Sequence, residues 1–467
     1  MKISVNQSDL AGEVIVPSSK SMTIRALMCA ALAKGETEII NPLVSDDTNA
    51  AAEVLGKIGV VIKKEDNIWR VTGGSLKIPT EDLYCGESAT TLRFMMAICS
   101  LIPGEHRLVG GPSLLRRPVR SLVEALKMLG VKSVLEGKTS PPVTIKGGTF
   151  RGGETELPGN ISSQFISALL LVAPYAEKDI SIKLTTPMTS RPYVLMTLRC
   201  MKEFGVNVTR SFDSFVVKRQ RYRPIQFNIE GDWSSASYFL AMGAFSEDGI
   251  TVRNIRTSSL QGDRVLLDFL RTMGAPVRVA GDSVTVSKGD LKAIKADLSD
   301  CIDLLPTMAV LASMSDGRSE LNGIERARIK ESNRIAAMKE GLEKLEHLGI
   351  LVSEEKSRLL ITGLLTVDPN KKEEDEEEES ANNSESGDAG EEGQEGEEGQ
   401  KPQKVPEEPP VTVINSRNDH RIAMAFGALG TAVGDIVIED AGCVSKTYPD
   451  FWNALKSLGG QLEIDAE

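Results

Sequence analysis

Seven basic residues stand where strand-like runs give way to helix-like ones: Lys20, Arg25, Arg117, Lys330, Arg334, Arg421 and Lys446. A helix start presents unpaired N–H groups and the positive end of its dipole, so such junctions favour anions. Val14-Ile15-Val16-Pro17 leads into Ser18-Ser19-Lys20-Ser21, with Arg25 one turn on. Two cations and the Ser21 hydroxyl around one helix start suit a phosphate or a carboxylate. An N-cap serine with two snorkelling bases reads equally well at this single position. Arg116-Arg117-Pro118, Ser162-Ser163-Gln164-Phe165 and Ser190-Arg191-Pro192-Tyr193 open helices in the same manner. Each alone is a capping motif, but four in equivalent places of successive repeats point to a shared site.

The densest island is Arg326-Ala327-Arg328-Ile329-Lys330-Glu331-Ser332-Asn333-Arg334, four bases and one carboxylate at a helix start. Asn418-Asp419-His420-Arg421 enters a small-residue helix, and Ser445-Lys446-Thr447-Tyr448-Pro449-Asp450 opens the last one. Asp303 sits among apolar neighbours in Cys301-Ile302-Asp303-Leu304-Leu305-Pro306, as a cap or as a carboxylate tuned by its surroundings. The cations exceed what one small anion needs. They imply a substrate pair bearing two phosphates and a carboxylate, with Asp303 and Glu331 as acid/base groups and no metal or cofactor required.

Other chemistries lack their signals. There is no GxxxxGK followed by Ser or Thr, and no GxGxxG between a strand and a helix. Aromatics are 4% and do not interleave with bases, which argues against a nucleic-acid partner. His occurs only at 106, 347 and 420, so a zinc cluster is not expected. The six cysteines form no CxxC pair and read as buried reduced thiols of a cytoplasmic enzyme. No apolar run nears the ~18 residues of a membrane span, and Met1-Lys2-Ile3-Ser4-Val5 opens directly into a strand pattern, with no signal peptide expected.

The elements that position these islands repeat. Helical patterns close on a large apolar residue followed by Gly59, Gly130, Gly205, Gly274, Gly349 and Gly459, spaced 71, 75, 69, 75 and 110 residues apart. Each reads as a left-handed C-cap feeding a strand. Helix-start signals precede five of them: Asp47 and Asp263 as N-cap residues, and Pro118, Pro192 and Pro449 in the first turn. A βα-rich unit of roughly 70 residues is used six times, too long for a solenoid repeat.

The last spacing contains a tract, Lys371 to Pro410, with 16 acids, 4 bases and no aromatic. Without its 40 residues the spacing returns to 70. The whole chain has 66 acids and 54 bases, so 50 of each remain outside the tract and the rest of the chain is formally neutral. The tract cannot bury enough apolar surface to offset its ordering entropy and is expected to be a disordered insert.

The islands also match a family. Ser19-Lys20-Ser21 with Arg25, Gly86-Glu87-Ser88-Ala89-Thr90-Thr91-Leu92-Arg93, Arg117-Pro118, Ser162-Ser163-Gln164-Phe165, Glu230-Gly231-Asp232 with Ser234-Ser235-Ala236-Ser237-Tyr238, Arg328-Ile329-Lys330-Glu331 with Arg334, Asn418-Asp419-His420-Arg421 and Lys446-Thr447 occur in family order. Together they closely resemble the 5-enolpyruvylshikimate-3-phosphate synthases of the shikimate pathway, over all of the chain except the acidic tract. The resemblance implies an α/β fold: a two-domain inside-out α/β barrel of six βαβαββ repeats, three per domain. Residues 1–17 plus 229–467 would form the first domain and 18–228 the second. It implies a monomer acting on shikimate-3-phosphate and phosphoenolpyruvate. Carried over by position, Lys20, Ser21, Arg25, Ser162, Ser163, Gln164, Ser190, Tyr193, Asp303 and Lys330 look like shikimate-3-phosphate ligands. Lys20, Ala89, Arg117, Gln164, Arg334, Arg421 and Lys446 look like phosphoenolpyruvate ligands. Asp303, Glu331 and Lys20 are similar to the family's catalytic groups.

Some positions depart from the better-known pattern. Glu87-Ser88-Ala89-Thr90 stands where many members have Asn-Ala-Gly-Thr, and the Ala89 methyl is expected to crowd the phosphoenolpyruvate pocket and weaken glyphosate inhibition. Arg326 stands where some members carry Asn. The sister enzymes that act on UDP-N-acetylglucosamine usually have Lys-Asn in place of Lys20-Ser21, and a Cys on the loop before Arg117. The loop Gly110-Gly111-Pro112-Ser113-Leu114-Leu115-Arg116 has none. A non-catalytic protein that binds partners through its acidic insert is the reading from another class; intact Lys20, Asp303, Glu331 and Arg421 argue against it.

Overall fold

All six cap glycines hold positive φ, from 86° at Gly205 to 100° at Gly274, and each ends the second helix of a βαβαββ unit. The computed structural model describes residues 1–364 and 411–465; the tract expected to be disordered lies outside the described residues. Six four-stranded sheets share one topology. In the sheet built on Gly104–Val109, that strand runs parallel to Leu83–Tyr84 and antiparallel to Val143–Gly147, and Val143–Gly147 pairs antiparallel with Lys132–Leu135.

Two units are completed by chain from far away. Gln226–Asn228 supplies the parallel strand beside Gly35–Ile40, with Phe227 opposite Ile39. Gly12–Ile15 does the same for Ile250–Arg253, with Val14 opposite Val252. The sheet containing Thr412–Asn415 takes both ends of the described chain: Lys2–Val5 pairs with Leu462–Asp465 and with Ile436–Glu439. The units therefore close on themselves rather than stacking in a line.

The two helices of each unit differ in polarity, and this sets the layering. The first helix is buried almost all round: every residue from Met22 to Leu32 of Lys20–Leu32 is buried, as is every residue of Ala89–Ile98 and Leu305–Ser313. The second buries one stripe only, as Leu122, Val123, Ala125 and Leu126 do in Arg120–Met128. Helices that are apolar all round must lie inside, so the sheets and amphipathic helices form the outer layer. Two hydrophobic cores result. One spans Met22 to Ile229; the other joins Ile3 to Val16 with Trp233 to Leu458.

The chain passes between the cores twice, side by side. Ser18 bridges Gly231, the Ser19 N–H donates to the Glu230 carbonyl at 2.8 Å, and the Asp232 N–H donates to that of Pro17 at 2.9 Å. A Cβ at Gly231 would lie 1.7 Å from the Asn254 carbonyl oxygen, so only glycine fits this crossing.

Four helix starts differ from expectation: Pro118 and Pro449 stand just before the N-cap residues Val119 and Asp450 rather than in the first turn, and two aspartates do not cap. Asp47 lies inside Asp46–Lys57; Ser45 precedes that helix, and its N–H donates to Thr48 Oγ1 at 3.0 Å. Asp263 lies in the 3₁₀ turn Gly262–Val265, and the α-helix starts only at Leu266. In both places the aspartate faces a side chain of the site instead of the helix's own N–H groups.

Candidate active site

The buried helices of both cores start at one place. Lys20–Leu32, Ala89–Ile98, Ser163–Val172, Trp233–Gly243, Leu305–Ser313 and His420–Val433 begin beside residues of one cleft and a smaller polar cavity adjoining it. The cleft is lined by Lys20, Ser21, Ala89, Arg117, Ser162, Ser163, Gln164, Ser190, Tyr193, Asp303, Lys330, Glu331, Arg334 and Arg421, all expected from the sequence. Ser162 caps its helix by accepting from the Gln164 N–H at 3.3 Å, and Asp419 caps its own by accepting from the Arg421 N–H at 3.0 Å.

Asp303 and Glu331 are the centre of the charge network. Asp303 Oδ1 accepts from Lys330 Nζ at 3.1 Å and Arg334 Nη1 at 2.8 Å; its Oδ2 accepts from the Tyr193 hydroxyl at 3.1 Å and lies 3.3 Å from Arg421 Nη2. Glu331 pairs with Arg117 Nη2 at 2.8 Å and with Arg334 Nη2 at 2.5 Å. One guanidinium thus spans both carboxylates. Burial pushes each carboxyl up, but the cations win. Arg421, Lys330 and Arg334 hold Asp303 well below the ordinary aspartate value, and Arg117 and Arg334 do the same for Glu331. Arg334 is kept in place from behind by Asp419, which is fully buried and accepts from its Nε at 2.8 Å and its Nη2 at 3.2 Å.

Burial drives Lys330 and His420 toward their neutral forms, and Lys20 and Arg421 lower His420 further. Neither ring nitrogen of His420 has a hydrogen-bond partner among the described residues, nor does Arg117 Nε.

Two expected residues do not line the cleft. Arg25 lies behind it, 1% exposed, donating to Thr197 Oγ1 at 2.8 Å and to the Ser21 and Tyr193 carbonyls at 2.8 and 3.0 Å. It braces Ser21 against Tyr193. Lys446 donates to the Asn418 carbonyl at 2.7 Å, at the entry to the His420 helix. Others enter the site without having been assigned a role. Asp47 lies 2.9 Å from Lys20 Nζ. Arg93 donates to Gln164 Oε1 at 2.6 Å and to the Pro118 carbonyl at 3.2 Å. Arg326 reaches across to donate to Ser190 Oγ at 2.7 Å, and Ser190 is held at φ 52°, a left-handed conformation unusual for serine. Arg93 and His420 were inside recognised islands; Asp47 was hidden by its reading as a cap.

The sequence profile described as "EPSP synthase (3-phosphoshikimate 1-carboxyvinyltransferase)" matches residues 5–370 and 387–455. A 3-phosphoshikimate 1-carboxyvinyltransferase of Dehalococcoides mccartyi is 43% identical over 469 residues, covering 100% of each chain. One from Methanocaldococcus jannaschii is 34% identical, covering 97% of each. An EPSP synthase structure from Acinetobacter baumannii superposes with a TM-score of 0.73 at 25% identity, over 99% of this chain and 100% of that one. The chain belongs to the EPSP synthase family.

Proposed function

We propose that the chain transfers the enolpyruvyl group of phosphoenolpyruvate to the 5-hydroxyl of shikimate-3-phosphate, releasing phosphate. The observation that carries this reading is the single Arg334 guanidinium bonded to both Asp303 and Glu331, which sets a base and a proton donor side by side where six helix starts meet. In the reaction the 5-hydroxyl oxygen bonds to C2 of the enol pyruvate, Asp303 accepts the hydroxyl proton, and Glu331 delivers a proton to C3. The resulting tetrahedral adduct returns a proton from its new methyl group to the Glu331 carboxylate as the C2–O bond to phosphate breaks, leaving the enol ether and free phosphate. Positive character builds at C2 as C3 is protonated, so the carboxylates stabilise the transition state as well as moving protons.

Ser162, Ser163, Ser190, Tyr193, Lys330 and Ser21 form the shikimate-3-phosphate side, braced from behind by Arg25, with Gln164 and Asp303 facing it. Arg117, Arg334, Arg421 and Ala89 form the phosphoenolpyruvate side, with Lys446 holding the entry to the His420 helix and Lys20 between the two substrates. We take residues 1–17 plus 229–467 and 18–228 as the two domains, and the protein as a cytoplasmic monomer.

The reaction run in deuterium oxide tests the chemistry. Reversible addition through a C3-protonated adduct places deuterium on the vinyl carbon of the enol ether, read by proton NMR. An enol ether free of label at that carbon would reject the route.

A further inference from the structure

We propose that Glu87 is a positioning residue that sets the Arg117 guanidinium for phosphoenolpyruvate, an inference that rests on the function proposed above. Glu87 lies at the turn before helix Ala89–Ile98, yet its side chain points away from the cleft, toward the loop 110–117. Its carboxylate accepts from the Leu114 N–H at 3.0 Å, the Ser113 N–H at 3.4 Å and the Ser113 hydroxyl. Leu114–Arg116 is a 3₁₀ turn, and no residue of its own supplies a side-chain cap. Glu87 supplies that cap from 26 residues away, a negative charge on the open N–H end of the turn.

The turn leads directly to the site. The Arg117 N–H closes it by donating to the Leu114 carbonyl at 3.1 Å, and the Arg117 guanidinium then reaches Glu331. Leu114 is fully buried, so the turn is anchored from below as well. On the other side of Glu87, Ser88 caps the helix that carries Ala89, Thr90 and Arg93 into the cleft. One carboxylate therefore fixes the spacing between the helix start and Arg117, the two sides of the expected phosphoenolpyruvate pocket.

The loop is fitted to this carboxylate. A Cβ at Gly111 would lie 2.2 Å from Glu87 Oε1, while the Gly111 N–H donates to the Gly86 carbonyl at 2.8 Å. Glycine at 111 and glutamate at 87 form a matched pair. A shorter side chain at position 87 could not reach the Leu114 N–H from the same backbone.

The test compares wild type with Glu87→Ala, Glu87→Gln and Gly111→Ala, and combines Glu87→Ala with Arg117→Ala. A misplaced binding group raises the KM of the substrate it holds. Glu87→Ala and Gly111→Ala should each raise the KM for phosphoenolpyruvate by about tenfold or more, with the KM for shikimate-3-phosphate within about twofold. Glu87→Gln, which keeps one acceptor oxygen, should recover part of the loss. In the Arg117→Ala background Glu87→Ala should add nothing, because the two act as one unit. Amide exchange at Ser113 and Leu114 should accelerate in Glu87→Ala while the core helices stay protected. Equal rises in both KM values, additive losses in the double variant, or unchanged exchange would overturn the proposal. An inactive wild type would reject the functional reading instead, and the exchange result would still decide whether Glu87 holds the turn.

Discussion

Tyr193 and Asp303, 110 residues apart and in different cores, meet across the cleft through a 3.1 Å hydrogen bond from the phenol to Oδ2. The phenol titrates far above the physiological range, pushed up first by burial and then by the negative charge of Asp263 and Asp303. It therefore donates and never competes as a base. The same oxygen lies 3.3 Å from Arg421 Nη2, so each carboxylate oxygen of Asp303 has two partners.

Replacing Asp303 by Asn removes the proton acceptor while keeping the shape. We expect kcat to fall by about 10² to 10⁴, the range of a general base, with the KM for phosphoenolpyruvate changed by less than about threefold. Tyr193→Phe should cost about tenfold or less, because Lys330, Arg334 and Arg421 still hold the carboxylate. Steady-state kinetics with both substrates varied checks this; a Tyr193→Phe loss equal to that of Asp303→Asn would contradict it.

Proton uptake on substrate binding follows from the lowered carboxyls. With the cleft empty, Glu331 is ionised at neutral pH because Arg117 and Arg334 outweigh its burial. Two phosphorylated substrates draw those cations away, burial is then less opposed, and the Glu331 value rises. Proton uptake should accompany formation of the ternary complex and increase as pH falls from about 8 to 6. Calorimetry in buffers of different ionisation enthalpy measures it; Glu331→Gln should abolish it. For stability the sign is the usual one for lowered carboxyls. Asp303 and Glu331 contribute above about pH 4, where the unfolded groups are also ionised, and the contribution is lost as pH falls toward their folded values.

Asp419 and Arg334 form a buried pair with 0% and 1% of their side chains exposed. Removing only the acid leaves an uncompensated guanidinium in the interior, because Asp303 and Glu331 already share their charge with Lys330, Arg421 and Arg117. Asp419→Ala should lower unfolding free energy by about 3–5 kcal/mol, read from urea denaturation. A loss under about 1 kcal/mol would show that the neighbouring carboxylates suffice.

Much of this was legible beforehand for specific reasons. The cap glycines announce themselves because a left-handed C-cap strongly favours glycine, and the cation islands because helix starts concentrate short polar side chains before apolar runs. What stayed hidden depends on pairings between distant segments. Ser45 and Asp47 are both good caps by type; only the fold brings Lys20 within 2.9 Å of Asp47 and leaves the cap to Ser45. The sequence puts Arg25 and Lys446 among the ligands, but Arg25 spends its donors on the Thr197 hydroxyl and the Ser21 and Tyr193 carbonyls, and Lys446 donates to the Asn418 carbonyl. Glu87 stood only as a departure from the family pattern, because the 3₁₀ turn it caps lies 26 residues further along the chain.

Ala89 opens its helix, is 4% exposed and faces the cleft next to Thr90 and Arg117. Its methyl takes space that a glycine would leave to the phosphoenolpyruvate side. Ala89→Gly should lower the glyphosate concentration for half-inhibition by about tenfold or more and modestly lower the KM for phosphoenolpyruvate, as one methyl is worth roughly 1–3 kcal/mol in a tight pocket. Inhibition at low micromolar glyphosate in the wild type, unchanged in the variant, would reject this.

The most direct measurement is phosphate release from phosphoenolpyruvate, with shikimate-3-phosphate and UDP-N-acetylglucosamine supplied in separate reactions. The account predicts release with shikimate-3-phosphate alone, lost in Asp303→Asn. Release with the sugar nucleotide alone, or none with either from folded protein, would contradict it.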